Sequence, residues 1–576
     1  MMIPPLEISE ATTRITGPLT DKGQIDFFKA LEQKISPPEL ATDENGYRVY
    51  FRYFGDTGWT RKPEHHEFYR LQNYEKLGLD PIIPPTLVFP LTPDKILEEY
   101  YKAKEEEYQK NTWDRPWTLE EYPMLADWIN EIDEPLDAIA EAISKPVFFM
   151  PLLPTHESVQ SGEPQGIVET FLPDLESLRS IAQILQTRAL YRIGQGNIDG
   201  AIDDKLTLRR LGRLITQSGI DFLYYFGTTF ENMGVAIPVG ANPEHPLTKE
   251  QIQRILDELD GMPPRASIRD IIEVNRYGTL AVAQEYMRAP DSLGKHHFIL
   301  VSGSGAGQAP EQSLGERIEE FIAEFTLRSY HAFTRTCNWN VVFRRINEVY
   351  DETLESPTQE HWRFIRATVE SILGHPSPLF SPDDRALEVV RVIFRYHKPP
   401  VHLEFTIQRS ECSENMQRLA LAILQYQREH GTMSHGNVPG ENWAVLIKPY
   451  LGENAERYFS CPTNPSPEGM TTYALVQYDD TNTDTVGGSL DTIILIELLE
   501  PMPFDKAIVS VDEALELLCD CGAEELECCG QVRMVSRRKN AHGDGMNVVY
   551  RSGAVRVVSA TIERAELLRS LGRETE

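Results

Sequence analysis

The sequence Gly194-Gln195-Gly196-Asn197-Ile198-Asp199-Gly200-Ala201-Ile202 has the composition of a turn between two helices. Gly and Asn readily end a helix, and the small Ala201 allows a second helix to pack closely against the first. On both sides the apolar residues recur at helical spacing, which predicts two amphipathic helices. These residues are Leu178, Ile181, Leu185, Leu190 and Ile193 before the turn, and Leu206, Leu208, Leu211 and Leu214 after it.

This helix–turn–helix pattern resembles one unit of a tetratricopeptide-type protein. Stacked arrays of such units need at least about three repeats, and the sequence shows one clear unit. We therefore predict a helical-pair domain, spanning residues 174–400, rather than a repeat array. Two of its segments, Leu206 to Leu214 and Trp339 to Tyr350, resemble the helical region of other planctomycete proteins of unknown function.

The regions before and after this domain have a different composition. Residues 1–173 are rich in Pro and aromatic residues, and runs such as Pro81-Ile82-Ile83-Pro84-Pro85 do not fit inside a helix. We predict an irregular, α-containing region there. Strand-like alternation replaces helical periodicity after Lys398-Pro399-Pro400, so a third domain is predicted at residues 401–576.

Near the end of the chain, apolar residues alternate from Met546 to Val558 around the dipeptide Ser552-Gly553. Alternation on both sides of a turn dipeptide is typical of a β-hairpin. A two-residue hairpin turn favours Gly where the backbone φ is positive. The sequence therefore predicts a terminal hairpin with Gly553 at a positive φ.

Several ordered segments of the last third resemble a planctomycete family of pilin-like proteins that has no established activity. The matched segments include the helix that begins near Cys412, the Phe459-Ser460-Cys461-Pro462 segment and the terminal hairpin. The resemblance implies one helix packed on an antiparallel sheet. The residues that carry it are Cys412, Asn415, Cys461, Pro462, Thr492, Glu497, His542, Asn547 and Gly553.

Together these features predict an α+β multidomain protein. Its N-terminal part would be a mainly α-helical module with tetratricopeptide-like helical pairs. A pilin-like domain, with one helix on an antiparallel sheet, would follow it. In this interpretation a helical module takes the place of the membrane-anchoring helix that family members commonly carry before the domain.

The resemblance also implies that Cys412 and Cys461 lie close enough for a disulfide. In a reducing compartment cellular reductants keep such pairs open, so we expect the pair to be mostly reduced. Four further cysteines, Cys519, Cys521, Cys528 and Cys529, have spacings that fit a structural zinc site poorly. We expect no metal there.

Charge and hydropathy restrict the classes of partner. The net charge of −32 and pI near 4.9 disfavour nucleic acid and anionic lipid, which need a basic surface. No run approaches the roughly 20 apolar residues that span a bilayer, and the start of the chain lacks the features of a signal peptide. We expect a soluble, cytoplasmic protein. The alternative is an envelope-associated protein whose N-terminal anchor was lost from the gene model.

A search for chemistry yields weak candidates. The run Gly303-Ser304-Gly305-Ala306-Gly307 lacks the third Gly of a dinucleotide fingerprint, and no P-loop lysine follows it. His65 and His66 are adjacent and do not share a helix face. His542 either braces the turn into the hairpin or binds a ligand or metal at its mouth. We expect no catalytic residue, cofactor or metal.

The leading functional hypothesis is a non-enzymatic interaction or scaffold protein with a protein partner. The alternative is a solute-binding or hydrolytic protein with a pocket between the helical and pilin-like modules. A broad exposed apolar patch on the helical module would favour the first hypothesis. A deep pocket, lined by His and carboxylates with perturbed pKa values, would favour the second.

Overall fold

The structure is a computed structural model. It describes these residues: 5–55, 65–87, 115–161, 175–240, 244–288, 336–358, 361–365, 381–430, 443–452, 454–462, 466–467, 470–477, 493–503, 508–510, 524–528, 531–535, 545–550 and 555–559.

Helices form most of the described chain. In the N-terminal part they are α1 Phe27–Ile35, α2 Gly46–Phe54, α3 His66–Lys76, α4 Pro123–Glu131, α5 Asp133–Ile143 and α6 His156–Ser161. The central helices are α7 Leu175–Gly194, α8 Ile198–Thr216, α9 Asp221–Ala236, α10 Lys249–Asp260, α11 Ile268–Arg288, α12 Trp339–Glu355 and α13 Pro382–Tyr396. The last helices are α14 His402–His430 and α15 Trp443–Ile447, followed by the 3-10 turns Lys448–Tyr450 and Ala455–Phe459.

The predicted helix–turn–helix is present as α7 and α8. Gly196 lies between them with a φ of 74°, a conformation that favours glycine. Asn197 caps α8, because its Oδ1 accepts a hydrogen bond from the backbone N of Gly200 at 3.1 Å. The turn chemistry read from the sequence therefore forms this hairpin.

The helices α8 and α9 approach each other through glycine. A Cβ atom at Gly212 would lie 2.4 Å from the carbonyl oxygen of Gly227, and a Cβ at Gly227 would lie 2.5 Å from the oxygen of Gly212. Neither position has space for a side chain, because the nearest atom in each case is a backbone oxygen. The two backbones therefore pack in direct contact, which fixes α9 on α8.

Three large apolar clusters and two smaller ones hold the described helices together. The largest runs from Tyr47 to Leu259 and includes Leu421 of α14, so it extends across residue 173. A second joins Ile25 and Phe27 to α11, α12 and α13. A third surrounds α14 with Trp443 and residues up to Tyr473. The domain boundaries proposed from the sequence stay predictions, although the first core crosses one of them.

Strands follow the last helices. They are β1 Met470–Gln477, β2 Ile493–Pro503, β3 Ile508–Ser510, β4 Glu524–Cys528, β5 Gln531–Val535, β6 Gly545–Tyr550 and β7 Val555–Ser559. The backbone pairs β1 with β2, β2 with β6 and β6 with β7 in antiparallel register, and β1 with β3 in parallel. A separate antiparallel pair joins β4 to β5.

The predicted α+β class, with a pilin-like helix-on-sheet domain, is wrong. Helices predominate among the residues whose side chains are described, since 65% of them are helical and 4% are in strands. The physical reason lies in α14. The sequence pattern makes it the single helix of a separate sheet domain, whereas Gln417 and Arg418 are buried, and they and Glu414 bind partners from the helical body.

Candidate functional site

One face of α9 is aromatic and exposed. Phe222 and Tyr225 are 52% and 53% exposed, Phe226 is half-buried and Thr229 is exposed. These four residues, hereafter the aromatic face, lie at i, i+3, i+4 and i+7, the spacing of one helix stripe. None of them carries a charge, in a chain in which 25% of the residues are charged.

The opposite side of α9 is part of the main core. Leu223, Gly227 and Phe230 are buried, and the aromatic rings continue inward from the aromatic face. The ring centroids of Phe222 and Phe226 lie 4.9 Å apart, and those of Phe226 and Phe230 lie 6.2 Å apart. A helix that is apolar on all sides is normally buried. Here one apolar side remains in contact with solvent.

A buried lysine holds the end of α9. Nζ of Lys205 lies 2.7, 3.0 and 2.9 Å from the carbonyl oxygens of Gly234, Val235 and Ile237. Three acceptors match the three donors of an ammonium group, and a cation is favourable at a helix C-terminus. Burial, and then the charge of Arg209, lower the pKa of Lys205, whereas the carbonyls favour its charged form. The lysine therefore works as an internal helix cap.

Behind the aromatic face, Glu231 of α9 binds two arginines. Its Oε2 lies 2.6 Å from Nε of Arg213 and 2.6 Å from Nη2 of Arg265. Nε of Arg265 also donates to Oε1 at 3.1 Å, so Arg265 binds the carboxylate in a bidentate manner. The Glu231 side chain is 2% exposed. Such charge-assisted bonds are the strong ones in a protein interior.

Glu414 of α14 enters the same group of charges. It contacts Arg213, and its Oε2 lies 3.4 Å from Nη2 of Arg265 and 3.5 Å from Nη2 of Arg209. Its Oε1 accepts from Nη2 of Arg418 at 3.2 Å. Arg213 and Arg265 therefore each contact both carboxylates. The Glu414 cluster, as defined here, consists of Arg209, Arg213, Glu231, Arg265, Glu414 and Arg418.

The electrostatics of the cluster follow from burial and the excess of arginine. Burial alone would raise the pKa of Glu414, but Arg213, Arg209, Arg265 and Arg418 outweigh it and lower the value to about 2. Burial lowers the pKa of the Arg209 guanidinium to about 10. The lowered pKa of Glu414 describes a carboxylate that is held ionised by the surrounding guanidinium groups.

A second buried group of charges lies on the other side of α8. Arg188 Nη2 is 2.6 Å from Oδ1 of Asp204, and Arg192 Nη1 is 3.0 Å from Oδ2 of Asp204. Both arginines also contact Oδ1 of Asp133, at 2.7 and 3.0 Å. Burial raises the pKa of Asp204 to about 6, against the opposing effect of Arg188 and Arg192. These four residues form the Asp204 cluster.

The sequence contained a signal for the Glu414 cluster that we did not use. Lys205, Arg209 and Arg213 recur every fourth residue, so they share one face of α8. Read alone, such a stripe is an ordinary solvated face. The structure buries Arg209 and Arg213 opposite Glu231 and Glu414, whereas Lys205 is buried against the carbonyl oxygens at the end of α9. Glu231 and Glu414 lie 18 and 201 residues away from Arg213 in the chain. The sequence around Arg213 therefore does not indicate that they are its partners.

Four of the family-motif residues lie together around the start of α14 and β1. Cys412 is buried, with Sγ 3.2 Å from Oη of Tyr473. The backbone N of Cys461 donates to Oγ1 of Thr472 at 2.6 Å. Both cysteines belong to the third apolar cluster and are thiols. The predicted disulfide-compatible separation stays a prediction. Pro462 follows Cys461, and Nδ2 of Asn415 donates to the carbonyl of Ser460 at 3.2 Å.

The remaining predicted residues are described by their backbone or not at all. Glu497 pairs with Tyr473 between β2 and β1, and Asn547 pairs with Val557 between β6 and β7. Three family-motif residues lie outside the described residues: Thr492, His542 and Gly553. Cys519, Cys521, Cys529 and the Gly303 to Gly307 run also lie outside them.

The other candidate features give no reactive arrangement. The His65 ring stacks on the ring of His156, with centroids 4.1 Å apart. Among the described residues there is no group of three or more His, Cys, Asp or Glu side chains arranged to hold a metal. A shallow recess open to solvent lies along α10, lined by Lys249, Glu250, Gln253, Arg254, Asp257, Glu258 and Gly261.

Within the described part of the chain, no helix is long and apolar enough to cross a membrane. Comparison with family models, curated proteins and solved structures gives no match. The resemblance of the C-terminal third to a planctomycete family therefore stays a prediction.

Proposed function

We propose that this protein is a non-enzymatic interaction or scaffold protein that binds a partner protein through the aromatic face of α9. One observation carries the proposal: Phe222 and Tyr225 are half-exposed on a helix whose other side belongs to the main core. Contiguous exposed apolar surface on a helix commonly marks a protein contact. Aromatic residues are also enriched at the centres of such contacts.

The aromatic face would supply part of the binding energy of a specific contact. A Phe or Tyr side chain buries roughly 150–250 Å² in full. Covering the half of each ring that is exposed would contribute about 2 kcal/mol per residue at roughly 25 cal/mol per Å². The glycine contact between α8 and α9 and the Lys205 cap hold the face in place. A preorganised surface loses less entropy on binding.

The partner that fits best is a different protein. Two copies of a chain with a net charge of −32 repel each other, whereas a basic protein is attracted over a longer range. The contact itself is uncharged, so it suits an apolar side of the partner's binding segment. We therefore propose an amphipathic, basic segment as the partner's binding element.

The test compares a face variant with a matched control. Phe222→Ser/Tyr225→Ser removes the exposed rings, and Met124→Ser/Val445→Ser removes two other side chains that are 50% and 55% exposed. The wild type and each variant carry an affinity tag and are purified, with their bound proteins, from the organism that makes the protein. Any protein that is missing only from the preparation of the face variant is then expressed and purified by itself. Calorimetry with that purified protein should show binding at least about tenfold weaker for the face variant, and unchanged binding for the control.

Two results would overturn the proposal. In one, every co-purifying protein is retained equally by the face variant and the wild type. In the other, the purified partner binds the face variant with wild-type affinity. The alternative of a solute-binding or hydrolytic protein stays a prediction, and so does the cytoplasmic location.

A further inference from the structure

We propose that the Glu414 cluster couples the docking of α14 to the position of α9, and that Glu414 is the positioning residue of this coupling. The partner-binding part of this inference rests on the proposed function. The mechanical part rests only on the contacts between helices.

The coupling starts from shared guanidinium groups. Nη2 of Arg265 lies 2.6 Å from Glu231 of α9 and 3.4 Å from Glu414 of α14. Arg213 binds Glu231 through Nε and Glu414 through Nη2. The same two arginines therefore bridge the two helices, and neither bridge persists without both carboxylates.

Removal of Glu414 would leave an unbalanced interior. Four arginines now share two glutamates in the cluster. Without Glu414, Glu231 is the carboxylate left in the cluster for Arg209, Arg213 and Arg265, while Arg418 keeps Asp260 at 2.7 Å. Like charges at close range repel in a medium of low dielectric constant. An unpaired buried charge is strongly unfavourable, so the arginines must reach water.

Arg209 is the most dependent on α14. Its carboxylate partner is Glu414, and Nη1 bonds Gln417 of the same helix. Its Nε and Nη2 have no hydrogen-bond acceptor among the described residues. When α14 moves away, this fully buried guanidinium loses its contacts within the described chain and must be hydrated where it stands.

The disturbance then reaches the aromatic face through α8. A Cβ built at Gly234 of α9 would lie 2.6 Å from Cγ of Arg209, so the arginine stem touches the backbone of α9. Four residues further along α8, Arg213 binds Glu231 directly. A movement that lets water reach these arginines therefore separates α8 from α9. In this way the docking of α14 holds α9, and with it the aromatic face, in position.

Hydrogen exchange of the full chain tests the mechanical part. We expect Glu414→Gln to speed amide exchange at least about tenfold in both α14 and α9, because local opening becomes easier. The control is Glu429→Gln, the same substitution on α14 at a surface pair with Lys249; it should leave α9 unchanged. If Glu414→Gln does not fold, Glu414→Asp keeps the charge with a shorter reach and should show a smaller acceleration in the same two helices.

Faster exchange in α14 with unchanged exchange in α9 would overturn the coupling. Unchanged exchange in both helices would overturn it as well. Partner binding is a separate measurement. Glu414→Gln should weaken the affinity for the partner protein identified above about fivefold or more, although Glu414 lies behind the aromatic face. Exchange could become faster in both helices while no protein is found whose binding depends on Phe222 and Tyr225. That result would support the coupling between α14 and α9 and overturn only the proposed function.

Discussion

The two buried charge clusters on either side of α8 differ in how far their members lie apart in the chain. Arg188 and Asp204 are separated by 16 residues across the α7–α8 turn, and Asp133 of the same cluster is 51% exposed. Arg213 and Glu414 are separated by 201 residues. The Asp204 cluster is therefore local and partly hydrated, whereas the Glu414 cluster forms only when distant segments have assembled.

The difference also appears in the two carboxylates. The pKa of Asp204 is raised to about 6, because burial exceeds the effect of its two arginines. The pKa of Glu414 is lowered to about 2, because four arginines exceed the effect of burial. The number of guanidinium groups, rather than burial alone, decides whether a buried carboxylate stabilises this fold in its ionised form.

The largest effect is expected from Glu231→Gln, which breaks the Glu414 cluster from the side of α9. It removes one of the two carboxylates that bind Arg213 and the bidentate partner of Arg265, and it should lower the free energy of unfolding by about 3–5 kcal/mol. Urea denaturation at pH 7 measures it. Glu258→Gln on the exposed side of α10 is the control and should stay within about 0.5 kcal/mol of the wild type. A loss below about 1 kcal/mol for Glu231→Gln would contradict the cluster.

The pH dependence of stability separates the two clusters next. The folded-state pKa of Glu414 lies below the ordinary value of 4.5, so its contribution is present above pH 4.5 and is lost as the pH falls toward 2. The loss should be about 3 kcal/mol. Denaturation curves from pH 2 to 7 measure this, and Glu414→Gln should remove this part of the acid sensitivity. An equal acid slope in wild type and variant would be inconsistent with an ionised, paired Glu414.

Asp204 should give the opposite slope. Its folded-state pKa of about 6 exceeds the ordinary 3.8, so the folded state holds a proton that the unfolded state has lost between these values. The wild type should therefore lose stability as the pH rises from about 4 to 6, and Asp204→Asn should remove that loss. The cost of Asp204→Asn should therefore be smaller at pH 7 than at pH 4, and Arg188 keeps Asp133 in the variant. A cost as large as that of Glu231→Gln would mean that the clusters are equivalent.

The smallest effect is expected at the aromatic face itself. Phe222→Ser/Tyr225→Ser should lower the free energy of unfolding by about 1 kcal/mol per residue or less, since half of each ring is already exposed in the chain alone. Thermal denaturation provides the measurement. A large loss of stability would instead assign these rings to the core and would weaken the case for a partner contact.

Much of the helical organisation was predictable. The two helices on either side of the turn at 194–202 were expected from periodicity, and the structure has Leu175–Gly194 and Ile198–Thr216. Capping explains where the second helix begins, since Asn197 caps it. The fold class of the C-terminal third was predicted wrongly. The segments that resemble the pilin-like family indicate a local sequence pattern, and they do not indicate which other segments pack against it.

Helix ends could be predicted where a cap or a turn glycine acts within a few residues, as at Gly196 and Asn197. The net charge of −32, which limits the classes of partner, also follows from composition alone. Tertiary packing, in contrast, decides that Arg209 and Arg213 are buried beside Glu414 while Phe222 and Tyr225 are exposed. Burial depends on which distant segment covers a side chain, and no residue type or local spacing records that contact.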